Sequence, residues 1–292
     1  MKTLVYSLFL VLFFSCKPEE KVIPFPQQEA KWVINSRISE EGSLWVGVSY
    51  SLPPDYSGRG NSIIELLESM MIDSLQLEIE YQGQWQALDE SAKGIYVLHN
   101  AQLEAGYTVH IKVKDRSGNT KLMASSVVQE IADVRYLDAY GIKRGLDTVY
   151  KMNLTLAKPA DTEAWYVLSL NRSSDLRKIQ NGGRPTLGNI LMDRNITDKR
   201  AFLIRAADYP GDSIHIQKEI SWLNGSDTLL VHVSRIEKPY FVFLEAVLRS
   251  SGWFQQLLGD AVNYPGNVQG GLGYFTLHRG VNRAFIMKNR VR

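Results

Sequence analysis

From residue 30 onward, apolar side chains recur at every second position, a period that only extended chain can use to bury one face. Leu44, Val46, Val48, Tyr50 and Leu52 alternate with Ser43, Trp45, Gly47, Ser49 and Ser51. Leu75, Leu77, Ile79 and Tyr81 alternate with Gln76, Glu78, Glu80 and Gln82, and Tyr107, Val109, Ile111 and Val113 with Thr108, His110, Lys112 and Lys114. Ser117-Gly118-Asn119 supplies a turn into a further strand near residues 121–128. Short strands at this density predict an antiparallel β-sandwich of immunoglobulin-like type over residues 30–132.

The same period returns at Tyr150, Met152, Leu154 and Leu156. Residues 165–170 read as a strand expected to pair with it. Further strands are expected near 200–206, 214–222, 273–277 and 283–288. Asn224-Gly225, between the apolar runs 220–223 and 228–233, predicts a hairpin. Two helices interrupt the pattern. Ser62 and Glu65 form a capping-box spacing ahead of Leu66, Leu67 and Met70, and Pro239 stands where it can open a helix over 240–249. The expectation is a mainly β chain: the N-terminal sandwich, then a second β-rich domain over 133–292, a sandwich or partial barrel, with one or two short helices.

Only one cysteine occurs, Cys16, so the folded body can hold no intrachain disulfide and no cysteine-based metal site. Lys2 gives a positive start, residues 4–14 are almost wholly apolar, and Ser15 precedes the cysteine. The apolar run is too short to span a bilayer and has the length of a signal-peptide core. The arrangement resembles a bacterial lipoprotein signal, with Phe13 and Phe14 relaxing the usual pattern. That resemblance implies a signal peptide over 1–15, cleavage between Ser15 and Cys16, and acylation of Cys16, whose partner is then membrane lipid. Two or more acyl chains hold a protein firmly, at about 0.8 kcal/mol per buried methylene. Residues 16–29, with Pro18, Pro24 and Pro26, read as an extended tether of about 40 Å. Lys17 stands where an inner-membrane retention signal would place Asp, which favours the outer membrane. The following Glu19-Glu20 resembles an export signal toward the cell exterior, interrupted by Pro18.

With net charge +2, the chain offers no electrostatic case for nucleic acid. The basic end (Arg279, Arg283, Lys288, Arg290, Arg292) reads as a solvated strand and tail.

Several stretches together resemble the lipoproteins that carry the uncharacterised domain numbered 4249. They are the cysteine, an early strand at 33–38, Gly94-Ile95-Tyr96 ahead of Leu103-Glu104-Ala105-Gly106-Tyr107, a late helix over 236–248 with Tyr240, and the run from Tyr264 to Phe275. The last is the most specific, carrying Asn267, Gly270, Gly271 and Gly273; its glycines have a structural reading as sites of positive φ or close backbone approach. The helix at 62–71 departs from the family pattern. The resemblance implies an accessory subunit beside a TonB-dependent outer-membrane transporter, itself a β-barrel. It supplies no catalytic residue.

Catalytic chemistry is not legible either. The five histidines are scattered, and neither a His-Glu-x-x-His motif nor an Asp-rich calcium loop occurs, so no metal or other cofactor is expected. Gly211-Asp212-Ser213 opens a strand and lacks the partner spacing of an esterase block. Glu78 and Glu80 read as a solvated strand face. Trp45 and Trp85, on polar strand sides, are candidate contacts for a ligand or protein partner. The leading reading is a non-catalytic binding subunit; an envelope-assembly lipoprotein and a surface hydrolase are the alternatives.

Overall fold

The computed structural model describes residues 29–39, 41–51, 68–145, 147–159, 163–173, 200–249 and 265–291. Cys16, Ser15, the tether up to residue 28 and the start of the 62–71 helix lie outside these residues; 68–70 are helical.

Among the described residues, the first half contributes β1 (Trp32–Ile38), β2 (Leu44–Tyr50), β3 (Gln76–Tyr81), β4 (Gln84–Ala87), β5 (Asp89–Ala92), β6 (Ile95–Leu98), β7 (Thr108–Lys114) and β8 (Thr120–Val127). The second contributes β9 (Val134–Arg144), β10 (Asp147–Ala157), β11 (Trp165–Arg172), β12 (Ala201–Arg205), β13 (Ser213–Ile220) and β14 (Thr228–Ile236). The helix α1 (Lys238–Arg249) follows, then β15 (Val268–Gln269), β16 (Leu272–Tyr274) and β17 (Gly280–Ile286). Four sheets result, ordered β16-β1-β2-β6-β5, β15-β8-β7-β3-β4, β13-β10-β9 and β12-β11-β14-β17. The protein is mainly β, and none of these sheets closes into a barrel.

The alternation read from sequence is what packs them. Ile34, Val46 and Val48 from the first sheet meet Leu77, Ile79, Ile111 and Leu122 from the second in one core. The third and fourth sheets share another, in which Met152, Leu154 and Ile214 face Leu168, Val231 and Val233. On the outer face of the fourth sheet, α1 lays Tyr240, Phe241 and Leu244 against Val167 and Ile236. Pro239 sits in the first turn of α1, where a missing N–H costs no helix bond.

Two pairing expectations are corrected. Residues 165–170 pair with β12 and β14, not with β10. Tyr166 through Asn171 are buried without alternation, as befits a central strand covered on both faces. Asn224-Gly225 does not close a hairpin: β13 pairs with β10, while β14 pairs with β11 and β17. A type I′ hairpin turn needs positive φ at both central residues, and neither Asn224 nor Gly225 has it. Asp227 instead accepts the Asn224 N–H at 2.7 Å, shaping a turn that crosses between sheets. By contrast, Ser117-Gly118-Asn119 does join β7 to β8. There Asp115 accepts the N–H groups of Ser117 and Asn119 at 2.9 Å each, and the Asn119 bond leads in holding its carboxyl below the ordinary value.

Candidate functional site

The run from Asn267 to Phe275 becomes a strap between the two N-terminal sheets. β15 adds antiparallel to the edge of β8, and three residues later β16 adds parallel to the edge of β1. Chain pressed this close to two backbones leaves no room for side chains. A Cβ on Gly270 would stand 2.2 Å from the Lys121 carbonyl oxygen, and one on Gly273 2.0 Å from that of Ile34. Both residues also have positive φ, +85° and +96°. A Cβ on Gly271 would meet the Trp32 carbonyl at 2.4 Å.

Asn267 fixes the strap. Its amide donates to the carbonyls of Ser125 and Phe275, both at 2.7 Å, and its oxygen accepts the Phe275 N–H at 2.9 Å. Only a side chain that both donates and accepts can make that set. Further along, Ser36 exchanges hydrogen bonds with Thr276, and Arg279 donates to the carbonyls of Ala101 and Leu103.

The strap also meets α1. Tyr274, 2% exposed, lies 4.8 Å ring to ring from Tyr240 and 5.3 Å from Phe243. Beside it Glu237, directly ahead of α1, accepts the Ser126 hydroxyl and, at 2.9 Å, the Val127 N–H of β8. Burial raises the Glu237 carboxyl above its ordinary value, against the lowering effect of those two bonds. Burial likewise pushes the Tyr274 hydroxyl up, with the Glu237 charge adding to it. Arg235 pairs with Glu130 nearby. Sequence reading missed Glu237 and Ser126; the one available signal was a carboxylate just before a Lys-Pro helix start.

The other sequence candidates are dispersed. Trp45 is half-buried in mid-sheet, opposite Arg37 and Val97. Trp85 is 41% exposed on the edge strand β4, with the Lys112 ammonium 3.6 Å from its ring centre. One ring face is therefore already occupied by a cation. The structure does not bring the two tryptophans together: they belong to different sheets. Tyr96 of the Gly-x-Tyr stretch is structural: its hydroxyl accepts the Leu75 N–H at 3.0 Å, and burial pushes it up to about 12. In the basic end, Arg290 is tied to Asp138, while Arg283 and Lys288 are exposed.

One cluster has the outline of a catalytic relay. Ser234 Oγ is 2.7 Å from His232 Nε2, and His232 Nδ1 is 2.6 Å from Asn282 Oδ1. The geometry fails as a nucleophile: Ser234 has no exposed surface, and β14 is hydrogen-bonded on both sides. Its ladder N–H groups cannot form an oxyanion hole. Gly280 makes the space for the imidazole, since a Cβ there would stand 1.9 Å from the ring. Among the described residues no group of His, Cys, Asp or Glu could hold a metal ion, and no helix is long and apolar enough to cross a membrane.

These features define a multi-sheet, mainly β protein in which the best-built polar groups act as joints between elements. The chain belongs to the family described as "Domain of unknown function (DUF4249)", whose model matches residues 19–281. That family is associated in general with outer-membrane and lipoprotein contexts. No curated protein matches. Two solved chains titled "Cytokine receptor complex", crystal forms 1A and 2, are similar at 9% identity. They cover 69% of this chain and 82% and 89% of their own length, each with a TM-score of 0.25. A superposition that loose supports no assignment of fold or partner.

Proposed function

We propose that this chain is an outer-membrane lipoprotein, anchored through acylated Cys16 and facing the cell exterior, that serves as a non-catalytic accessory subunit of a TonB-dependent nutrient transporter. The observation that carries the reading is the position of the lone cysteine. It closes an apolar stretch directly ahead of the family region, which begins at residue 19. In this reading residues 16–29 form the tether, the immunoglobulin-like unit covers 30–132, and the second β-rich unit covers 133–292. Trp45 and Trp85 are contacts for the partner or its cargo. Among the described residues the best-built polar groups, Asn267, Glu237 and Arg290, serve as joints between elements, and this supports a binding role.

Two measurements test it. Labelled palmitate should enter the wild-type chain and not Cys16→Ser, which should appear in the soluble fraction. Purification of the lipidated protein in mild detergent should bring down a large β-barrel at near-stoichiometric yield. A chain that purifies alone would remove the accessory role, and one that is released with a free thiol would remove the anchor.

A further inference from the structure

The first two sheets are bordered on both flanks by chain that changes sheet. On one flank the strap passes from the edge of β8 to the edge of β1. On the other, β4 pairs with β3, and after the single residue Leu88 the chain continues as β5, paired with β6. Among the described residues β4 and β5 are each the last strand of their sheet, and every residue in them is exposed. A free strand edge is a template for another chain, and proteins usually blunt it with charge, proline or a bulge. β5 is blunted: it carries Asp89 and Glu90, and its register shifts between Glu90 and Ala92. The edge of β9 is covered where the Arg290 carbonyl accepts the Gly141 N–H at 2.9 Å. β4, with the sequence Gln84-Trp85-Gln86-Ala87, has none of these devices.

Register decides which groups β4 offers. Gln82 and Gly83 both have positive φ, +51° and +77°, as a two-residue I′ turn requires, and Tyr81 faces Gln84 across it. Further along, the Leu88 N–H donates to the Leu77 carbonyl at 2.9 Å. Antiparallel pairs alternate between those that exchange backbone bonds and those that do not. Gln84, Gln86 and Leu88 therefore spend their backbone groups on β3, while Trp85 and Ala87 direct N–H and C=O outward. These two residues stand opposite Glu80 and Glu78, on the face turned away from the core that holds Leu77 and Ile79. There the Trp85 ring reaches across β3 to the Lys112 ammonium of β7, which steadies it at 3.6 Å, and is still 41% exposed. Just past Leu88, Asp89 adds an exposed carboxylate. We infer that the outer edge of β4 docks an extended segment of a protein partner by strand addition, with an apolar side chain beside Trp85 and a cationic one near Asp89. A second copy of β4 would not supply that cation, because β4 is uncharged. This deepens the accessory-subunit reading and rests on it, because such a segment would belong to the barrel.

The experiment uses the full chain in two arms. In the first, a fluorescein-labelled peptide of alternating valine and threonine, with a lysine at each end, is titrated by anisotropy. Ala87→Pro removes an outward N–H and no bond to β3, so the strand keeps its ladder while the template is lost. Binding should weaken by about tenfold, and Ala87→Val, of similar bulk but with its N–H intact, should bind as the wild type does. Trp85→Ser leaves the backbone untouched and should weaken binding by about threefold, so the test stands if the proline variant fails to fold. Asp89→Lys should also weaken it, by a factor that shrinks as salt rises. No binding by the wild type, or equal binding by Ala87→Pro, would overturn the site. So would a wild-type dimer in light scattering that Ala87→Pro dissolves, since the edge would then belong to a second copy. In the second arm, wild type and Ala87→Pro are purified from membranes in mild detergent. Loss of the barrel from the proline variant alone supports docking at β4. If both bring down a barrel equally well, the docking edge fails and the accessory role stands. If the wild type brings down none, the accessory role fails, and the peptide arm alone decides whether the edge takes a strand.

Discussion

Asn267 and Arg290 do the same job in the two halves of the molecule, with opposite chemistry. Each fastens a late stretch of chain along the edge of an early strand in parallel: β16 beside β1, and Val291 beside Gly141 of β9. Asn267 is a neutral clamp that spans Ser125 and Phe275 while glycines let the strap lie against bare backbone. Arg290 is a charged clamp; its Nε donates to the Ala139 carbonyl at 2.7 Å and its outer nitrogen pairs with Asp138, over the ring of Phe285. The first solution depends on shape, and the second on charge. A clamp built on close backbone approach tolerates no added atom, whereas one built on an ion pair should loosen gradually.

The largest effect is expected from Gly273→Ala. Its methyl would enter the Ile34 carbonyl at a backbone angle that L-residues avoid, and we expect a loss of about 3 kcal/mol or more in urea unfolding. A substitution tolerated within 0.5 kcal/mol would show that the strap is not seated as described. Next, Asn267→Ala should cost about 2 kcal/mol, chiefly by leaving the part-buried N–H and carbonyl of Phe275 without their partner, and Asn267→Asp should do no better, because a carboxylate cannot donate to carbonyls. Salt should not change the Asn267→Ala result, since no charge is gained or lost. Arg290→Lys keeps the charge but cannot reach both partners, so a smaller cost of about 1 kcal/mol is expected, shrinking as salt rises.

The smallest effect sits between the halves, at Glu237. Its raised carboxyl binds a proton more tightly in the folded chain than in the unfolded one. Stability from this group should therefore rise as pH falls through the folded value, with the gain complete below the ordinary 4.5. Glu237→Gln, which keeps an acceptor for Ser126 and Val127, should flatten that slope in pH-dependent thermal melts. An unchanged slope would mean the carboxyl is not buried at this joint. Glu237→Ala should instead destabilise at every pH, by leaving the Val127 N–H without its acceptor.

How far the sequence reached depended on how local the physics was. β2, β3, β7 and β10 were legible because each alternates apolar and polar residues within its own span. α1 was legible from Pro239 and its apolar face. The partners of β11 were not, because a strand buried on both faces carries no alternation to show which neighbour lies on which side. Asn224-Gly225 misled for a related reason. A turn dipeptide fixes where the chain bends, and strand pairing decides whether the bend joins one sheet or two. In the strap, the glycines announced a tight backbone without naming the backbone they would meet. Glu237 gave only a weak capping signal, and its partner Ser126 lies more than a hundred residues earlier.

The sequence by itself determined the extended character of most of this protein, the single thiol at Cys16 and the places where no side chain fits. Those properties are set by residues within a few positions of one another. Tertiary structure alone decided that residues 267–277 return to the first two sheets, that α1 covers the outer face of the fourth, and that the Trp85 ring reaches across β3 to Lys112. Each joins groups tens to hundreds of residues apart, and such contacts gain free energy only when both surfaces are already formed, so no local pattern records them.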